Sequence, residues 1–292
     1  MSMVSVVVPT HNRAGVLPRA LRSIYAQKMS VDEVIVVDDG STDDTAEQVS
    51  RHFPDVQLIV QSNHGVSHAR NRGLQRARGT WVALLDSDDE WLPDKIQTQL
   101  NELKSSPALR VCHTNEIWIR NGRRVNPMKK HDKHGGNIFF HCLPRCVMSP
   151  SSILLHRSVI EEFGGFDTSL PVCEDYDLWL RITAHMDVLY IPEKLVVKHG
   201  GHADQLSRRF WGIDRYRIQA LENLVCSGTL SGVQTRAVIK EMLRKIDIYV
   251  SGAQRRDRVH EVRRYAEKRL RYEQVMKRTS SSDRTMVQAA CR

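Results

Sequence analysis

The chain has 292 residues, 41% of them hydrophobic, and is therefore long enough to bury one sizeable domain core with an appendage. No apolar run approaches the roughly 20 residues that a membrane-spanning helix needs, and no charged segment leads into an apolar one at the N-terminus. The net charge is +9. We therefore expect a soluble, cytoplasmic protein with neither a membrane span nor a signal peptide.

The cysteine pattern argues against a disulfide or zinc framework. The six cysteines are scattered without a C-x-x-C pair, which predicts reduced thiols. His141, Cys142 and Cys146 lie close together in the chain, but a second pair of ligands is missing, so the pattern disfavours zinc.

The first third of the chain alternates between strand and helix patterns. The predicted elements are strands at residues 4–8, 34–37 and 57–60 and helices at residues 14–27 and 65–77. The first strand is closed by Pro9 and followed by a polar turn, and the second ends in Asp38 and Asp39. Such alternation indicates a parallel sheet, and ligands of open α/β sheets bind at the carboxyl ends of the strands.

The next apolar run, residues 81–85, ends abruptly in Asp86, Asp88 and Asp89. The repulsion between these carboxylates must be relieved by a cation or by a network of donors. An extended chain places Asp86 and Asp88 on the same side, where both can converge on one hard divalent ion. The alternative is a solvated acidic turn that caps a helix beginning near residue 93.

The following segment is less regular. The predicted elements are a helix at residues 93–103 and strands at residues 111–119, 153–155, 188–191 and 195–197. Residues 120–136 are basic and contain glycines, which predicts a mobile loop or a hairpin. Glu174 and Asp175 open a helix, where the helix dipole alone also favours carboxylates. His199 and His202 flank two glycines and could bind metal or phosphate, or be ordinary loop histidines.

The positive charge is concentrated at the end of the chain. Residues 234–292 contain 16 Lys/Arg and 7 Asp/Glu, whereas the preceding residues contain 27 of each. Two apolar stripes predict two helices, with a break between them at Ser251-Gly252. The first stripe is Val238, Met242, Ile246, Tyr249 and Ala253, and the second is Val259, Val262, Ala266 and Leu270. The arginine clusters around them would face solvent or anionic lipid headgroups. Residues 279–292 are expected to be disordered.

Five segments together resemble, in order, the signature of the family 2 glycosyltransferases with the GT-A fold. They are residues 4–13, 36–45, 70–73, 84–91 and 174–181. The resemblance covers roughly residues 3–210. It implies an α/β fold, a Rossmann-like, mostly parallel mixed sheet flanked by helices. It also implies a nucleotide-binding half over residues 1–110, an acceptor-binding half over residues 111–210 and a helical extension over residues 211–278.

The resemblance also implies residue roles for transfer of a sugar from a nucleoside diphosphate, with UDP expected. The implied nucleotide-sugar-binding residues are Pro9, Thr10, His11, Asn12, Arg13, Asp38, Asp39, Arg70, Asn71, Asp86 and Ser87. Asp88, with Asp86, would bind Mn²⁺ or Mg²⁺ at the diphosphate, and His199 or His202 would complete that site. Asp175 would be the general base of an inverting displacement, oriented by Glu174. The expected acceptor is a saccharide or lipid-linked hydroxyl in surface polysaccharide or glycolipid synthesis.

Three other functions are weighed against this one. A nucleotidyltransferase would need a glycine-rich basic turn after the first strand, which residues 10–15 match poorly. A non-catalytic sugar-binding or nucleotide-binding scaffold would be expected to have lost the Asp86-Ser87-Asp88 motif or Asp175. Nucleic-acid binding by the basic tail is disfavoured, because no aromatic residues interleave its arginine clusters in a recognised module. Contact of the tail with the inner face of the membrane remains a further expectation.

Overall fold

A computed structural model of the chain describes residues 3–201, 210–278 and 290–291. It forms two compact units. The first comprises Met1–Ile138, Val147–Pro171 and Met186–Gln205, and the second comprises Phe139–Cys146, Val172–His185 and Leu206–Arg292. These units interleave along the chain, whereas the boundaries expected from the sequence are consecutive. The donor and acceptor roles assigned to residues 1–110 and 111–210 stay predictions.

The first unit is built on one mixed sheet, which contains all nine strands of the described residues. The strands are β1 Val4–Thr10, β2 Glu33–Asp39, β3 Gln57–Gln61, β4 Trp81–Leu84, β5 Glu90–Trp91, β6 Val111–Arg120, β7 Arg123–Val125, β8 Ile153–His156 and β9 Leu189–Gly200. Their order is β3-β2-β1-β4-β8-β6-β9-β5, with β7 paired to β6. Strands β3, β2, β1 and β4 are parallel, whereas β8 is antiparallel to β4 and β6.

Ten α-helices are found in the described residues. They are α1 Leu17–Tyr25, α2 Thr45–His52, α3 Val66–Arg76, α4 Lys95–Ser105, α5 Phe139–Cys142, α6 Arg157–Phe163, α7 Glu174–Thr183, α8 Asp214–Cys226, α9 Gly232–Gln254 and α10 Val259–Arg278. Helices α5 and α7 to α10 belong to the second unit. None of the helices described combines the length and apolarity needed to cross a bilayer.

The side chains of β1 point alternately to the two faces of the sheet, and helices cover both faces. Val4, Val6 and Val8 are fully buried in one cluster with residues of α1. Val7 points to the opposite face, where α3 approaches so closely that a Cβ at Gly73 would lie 2.2 Å from Val7 Cγ1. Only glycine fits there without displacing the helix, and this close approach places the preceding turn of α3, with Arg70, against the sheet.

Three details of the sequence prediction are wrong. Leu189–Gly200 forms one long strand, β9, instead of two short strands and a loop, because β9 pairs along β6 through an irregular register at Asn115. Helix α9 continues through Ser251-Gly252 and ends at Gln254. In α10 the expected stripe is exposed at Val259 and Leu270, whereas Tyr265, Tyr272 and Val275 are buried. The expected hairpin is present, with β6 and β7 joined at Asn121-Gly122.

The second unit is helical and contains a disulfide that the sequence analysis did not expect. Cys226 at the end of α8 is bonded to Cys291, closing 65 residues of sequence. Cys112, Cys142, Cys146 and Cys173 are free thiols. Reduced thiols were predicted because two cysteines this far apart in sequence give no local signal. The expected disorder of residues 279–292 falls mainly outside the described residues.

Candidate functional site

Three polar turns lie at one edge of the first unit's sheet, because the strands that precede them are parallel. Thr10 of β1 lies beside Asp38 of β2. On the other side of β1, the backbone N–H of Leu85 donates to the carbonyl of Val7 at 3.1 Å. The residues after β1, β2 and β4 therefore share the carboxyl edge of the sheet, as the sequence predicts. Pro9 and Thr10 end β1, Arg13 follows it, and Ser87 lies in the third turn.

Side-chain hydrogen bonds join the first two turns. His11 Nδ1 lies 2.9 Å from the carbonyl oxygen of Asp39. Asn12 adopts a left-handed backbone conformation, with φ of 52°. Its side-chain Oδ1 accepts from the backbone N–H of Thr42 at 2.7 Å, and its own N–H donates to Ser41 Oγ at 2.8 Å. The His11-Asn12 turn is thus held in place by the turn after β2.

Asp38 and Asp39 are both buried, and their carboxylates face different groups. Asp39 accepts three hydrogen bonds: from Gln61 Nε2 at 2.7 Å, from the N–H of His64 at 2.9 Å and from the N–H of Gly65 at 2.7 Å. Asp38 Oδ1 accepts from the N–H of Ser41 at 2.8 Å. Among the described residues, Asp38 Oδ2 and the neighbouring Thr10 Oγ1 are buried without a hydrogen-bond partner. Such unsatisfied polar atoms are costly in a core and are typical of functional sites.

A network of donors relieves the repulsion in the acidic turn. Asp86 Oδ1 forms a 2.7 Å ion pair with Arg70 Nη2. Asp89 accepts from Ser151 Oγ at 2.6 Å and from the backbone N–H of His199 at 3.0 Å. Burial raises the pKa of Asp89 well above its ordinary value, and the charges of Asp88 and Asp86 add to this while Lys198 opposes it. Asp89 therefore anchors the turn to the neighbouring strand β9.

Arg19 and Glu90 also contribute to this turn, although the sequence analysis did not identify them. Arg19 Nη2 donates to the backbone carbonyl of Asp88, and its Nε lies 3.3 Å from Glu90 Oε1. The same Glu90 oxygen lies 2.6 Å from His199 Nε2. No sequence signal could have found Arg19, because it lies on α1, 69 residues from its partner.

The donor set suits a hard divalent ion that is held jointly with a substrate. Asp86 and Asp88 offer carboxylate oxygens, which Mg²⁺ and Mn²⁺ prefer. Within the described part of the chain, no group of three or more His, Cys, Asp or Glu side chains is placed to hold a metal alone. Mg²⁺ is usually bound by one or two carboxylates together with substrate phosphates and water, and the residues here fit that arrangement. His202 lies outside the described residues.

Arg70 and Asn71 are neighbours on α3 but have different contacts. The guanidinium of Arg70 pairs with Asp86 and lies 5.1 Å from the ring centre of Phe166. Both atoms of the Asn71 amide are hydrogen-bonded to the backbone of Phe166, each at 2.8 Å. This indicates a structural role for Asn71, and a nucleotide contact for it stays a prediction.

The candidate base lies at the start of α7 in the second unit. Glu174 is buried, and Asp175 is partly exposed. Asp175 Oδ1 accepts from the N–H of Tyr176 at 2.7 Å, and Oδ2 accepts from Cys146 Sγ at 3.3 Å. Asp177, one turn into the helix, is instead paired with Arg181 at 2.8 Å. Of the three carboxylates in this turn, Asp175 is the partly exposed one. In the described structure no arginine lies at ion-pair distance from it.

Comparison with known families places these residues in context. Residues 5–164, more than half of the chain, match the model for glycosyl transferase family 2. The chain belongs to this family. An uncharacterized glycosyltransferase of Rickettsia conorii is 29% identical over 216 residues, which are 71% of this chain and 35% of that protein. One from Haemophilus influenzae is 27% identical over 187 residues, 62% of each chain. The chain thus spans less than two thirds of the length of either of these family members.

Solved structures confirm the predicted GT-A fold for this family member. TarS (residues 1–349) of S. aureus in complex with UDP-GlcNAc superposes with a TM-score of 0.69 at 18% identity, covering 86% of this chain and 74% of TarS. The mannosyltransferase PcManGT of Pyrobaculum calidifontis, in complex with GDP-Man and Mn²⁺, gives a TM-score of 0.60 at 19% identity, covering 99% and 86%. At these identities the likeness concerns the fold.

Proposed function

We propose that the chain transfers a sugar from a nucleoside-diphosphate sugar to an acceptor hydroxyl, with inversion at the anomeric carbon. The observation that carries this is the shared carboxyl edge of β1, β2 and β4, with its three polar turns in a family 2 sheet. Two structurally similar proteins are complexed with UDP-GlcNAc and GDP-Man. We propose UDP as the nucleotide, bound by residues 9–13, Asp38 and Asp39, because their carboxylates can accept from the uracil imide and the ribose hydroxyls.

Calorimetric titration tests the donor site. UDP, GDP, dTDP and CDP would each be titrated into the protein with Mn²⁺ and again after addition of EDTA. Tight binding of UDP that collapses without metal supports the proposal. If only GDP bound tightly, the donor nucleotide would be GDP and not UDP. Failure of all four nucleotides to bind would refute the glycosyltransferase function in favour of a scaffold.

The metal would be held by Asp88, with Asp86 assisting and His199 or His202 near the diphosphate. When bound, it would stabilise the charge that develops on the leaving diphosphate. Arg70 lies 2.7 Å from Asp86 and offsets the charge of that carboxylate. Arg19 holds the backbone of Asp88, which fixes the turn before the ion arrives.

Asp175 would accept the proton of the acceptor hydroxyl as that oxygen attacks the anomeric carbon. Its partial exposure and its position at the start of α7 support this role, because a general base must be reachable by the acceptor hydroxyl. Glu174 would orient it. The expected acceptor is a saccharide or a lipid-linked precursor of a surface polysaccharide or glycolipid.

A basic and apolar face of α10 supports contact with an anionic membrane surface. Val259, Ala266 and Leu270 are exposed at helical spacing. Lys277 lies on the same side, as does Arg263, which is 3.2 Å from Glu267. This combination is typical of helices that lie in a bilayer interface. The test is sedimentation with vesicles of phosphatidylglycerol and of phosphatidylcholine. Binding to the anionic vesicles that falls several-fold in Leu270→Glu supports the contact, and equal recovery with both lipids contradicts it.

A further inference from the structure

The thiol of Cys146 contacts the carboxylate that we propose as the general base. Cys146 Sγ lies 3.3 Å from Asp175 Oδ2, in the geometry of a thiol that donates to a carboxylate. The other oxygen, Oδ1, accepts from the backbone N–H of Tyr176. Cys146 is partly exposed and is a free thiol. Each oxygen of the candidate base therefore has one donor from its own unit.

Two buried contacts hold the segment that carries Cys146 against α7 and α9. Tyr176 Oη donates to the carbonyl of Leu143 at 2.6 Å, and Lys245 Nζ donates to the carbonyl of Pro144 at 3.0 Å. Both side chains are 1% exposed. The position of Cys146 is therefore set by the packing of the unit and does not depend on its own weak hydrogen bond.

Other charged groups surround this contact. Cys173 and Glu174 flank Asp175 in sequence, Asp214 and Arg217 on α8 interact with Cys173, and Glu241 on α9 interacts with Tyr176. Lys245 lies 3.2 Å from Glu241 and 3.9 Å from Asp214. Lys245 and Arg217 therefore have carboxylate partners of their own, Glu241 and Asp214, at ion-pair distance.

We propose that Cys146 is a positioning residue for Asp175. Its S–H fixes the orientation of Oδ2, because a donor at 3.3 Å restricts rotation of the carboxylate. This inference rests on the proposed role of Asp175 in proton transfer. It does not place Cys146 in contact with a substrate.

Thiol reactivity tests the contact without a substrate. A carboxylate beside a thiol disfavours the thiolate, which is the form that iodoacetamide attacks. Asp175→Asn should therefore accelerate alkylation of Cys146 at pH 7 by about three- to tenfold. Peptide mass spectrometry measures the rate. Asp257→Asn, the same charge change at an exposed residue between α9 and α10, should leave the rate unchanged. Equal rates in Asp175→Asn and the wild type would overturn the inference.

Turnover tests the effect on catalysis. The readout is nucleotide release with water as acceptor, from UDP-GlcNAc and from GDP-Man with Mn²⁺. Cys146→Ala should lower kcat about tenfold with KM unchanged, because the carboxylate loses the donor that orients it. Cys146→Ser, which keeps a donor, should recover most of the rate. Cys142→Ala removes a buried thiol from the same segment and is the matched control.

The outcomes separate the two proposals. An unchanged kcat in Cys146→Ala, with Asp175→Asn inactive, would overturn the role of Cys146 and leave the proposed function intact. Full activity in Asp175→Asn would instead overturn the base assignment on which the inference rests. If the wild type released neither nucleotide, the alkylation rates alone would decide whether the thiol and the carboxylate are coupled.

Discussion

Asp88 and Asp89 are adjacent in sequence but are expected to respond oppositely to substitution. Asp89 is 1% exposed and satisfies Ser151 Oγ and the N–H of His199, whereas Asp88 is held through its backbone carbonyl by Arg19. Asp89→Ala leaves the buried hydroxyl of Ser151 and the partly buried N–H of His199 without their acceptor and should cost about 2–3 kcal/mol of the free energy of unfolding. Asp88→Ala, at a partly exposed side chain, should cost less stability than Asp89→Ala and weaken Mn²⁺-dependent nucleotide binding at least about tenfold.

Urea unfolding and calorimetry of the two variants distinguish these roles. The larger loss of stability is expected in Asp89→Ala and the larger loss of nucleotide affinity in Asp88→Ala. Nucleotide binding that survives in Asp88→Ala would contradict the role of Asp88 at the diphosphate, whatever its stability.

Asp175 is the residue on which turnover should depend most. We expect Asp175→Asn to lower kcat by about 10²- to 10⁴-fold, the usual contribution of a general base. Nucleotide affinity should stay within about twofold, because Asp175 is proposed to act on the acceptor and to make no contact with the donor nucleotide. Steady-state kinetics and calorimetry on the same preparation measure both. If Asp175→Asn kept its turnover, the general base would be another carboxylate, with Glu174 and Asp177 as the next candidates.

At the scale of elements, Glu116 joins β6 to the segment that follows the hairpin. It is 3% exposed, forms a 3.0 Å ion pair with Lys133 and accepts from Trp118 Nε1 and Ser149 Oγ. Burial alone would raise its pKa, but the charges of Lys133 and Lys198 hold the pKa at about 2. The folded-state pKa lies below the ordinary 4.5, so the stabilisation is present above pH 4.5 and is lost as pH falls toward 2.

Glu116→Gln should therefore destabilise the protein by about 3 kcal/mol at pH 7, because it leaves Lys133 buried without its partner. The loss should shrink as the pH is lowered below 4.5, where the wild-type carboxylate becomes protonated. Glu162→Gln is the matched control, since its pair with Arg110 is at the surface and is worth at most about 1 kcal/mol. Urea unfolding at several pH values measures both, and equal losses for the two variants would contradict the prediction.

The helices show what the sequence pattern could and could not predict. Helix α9 has one apolar stripe, and its residues are buried as expected. Helix α10 carries apolar residues on two faces, so periodicity predicts a helix without deciding which face is packed; the aromatic face with Tyr265 and Tyr272 is the buried one. The order of strands and acidic turns followed from local patterns. The Arg19–Asp88 and Cys146–Asp175 contacts arise only from tertiary packing and have no local signal.

For the molecule as a whole, the disulfide bears on the compartment in which the protein works. A cytoplasmic location is expected from the sequence, and thiols in that compartment are usually kept reduced. The Cys226–Cys291 bond closes 65 residues of the helical unit. Its formation therefore depends on oxidising conditions, and the stability of this unit should depend on redox state.

Cys226→Ser should lower the free energy of unfolding of the oxidised protein by up to about 4 kcal/mol, because the bond restricts the unfolded chain. Dithiothreitol should lower the stability of the wild type to the same level and leave Cys226→Ser unaffected.

Thiol titration in denaturant provides the chemical check: four thiols should react in the oxidised protein and six after reduction, since four of the six cysteines are free. Six reactive thiols in protein purified without reductant would show that the bond does not form under those conditions. Helices α8 to α10 would then be held together without this bond, by buried faces that contain Ile246, Tyr249 and Tyr272 and by ion pairs such as Lys268 with Glu222.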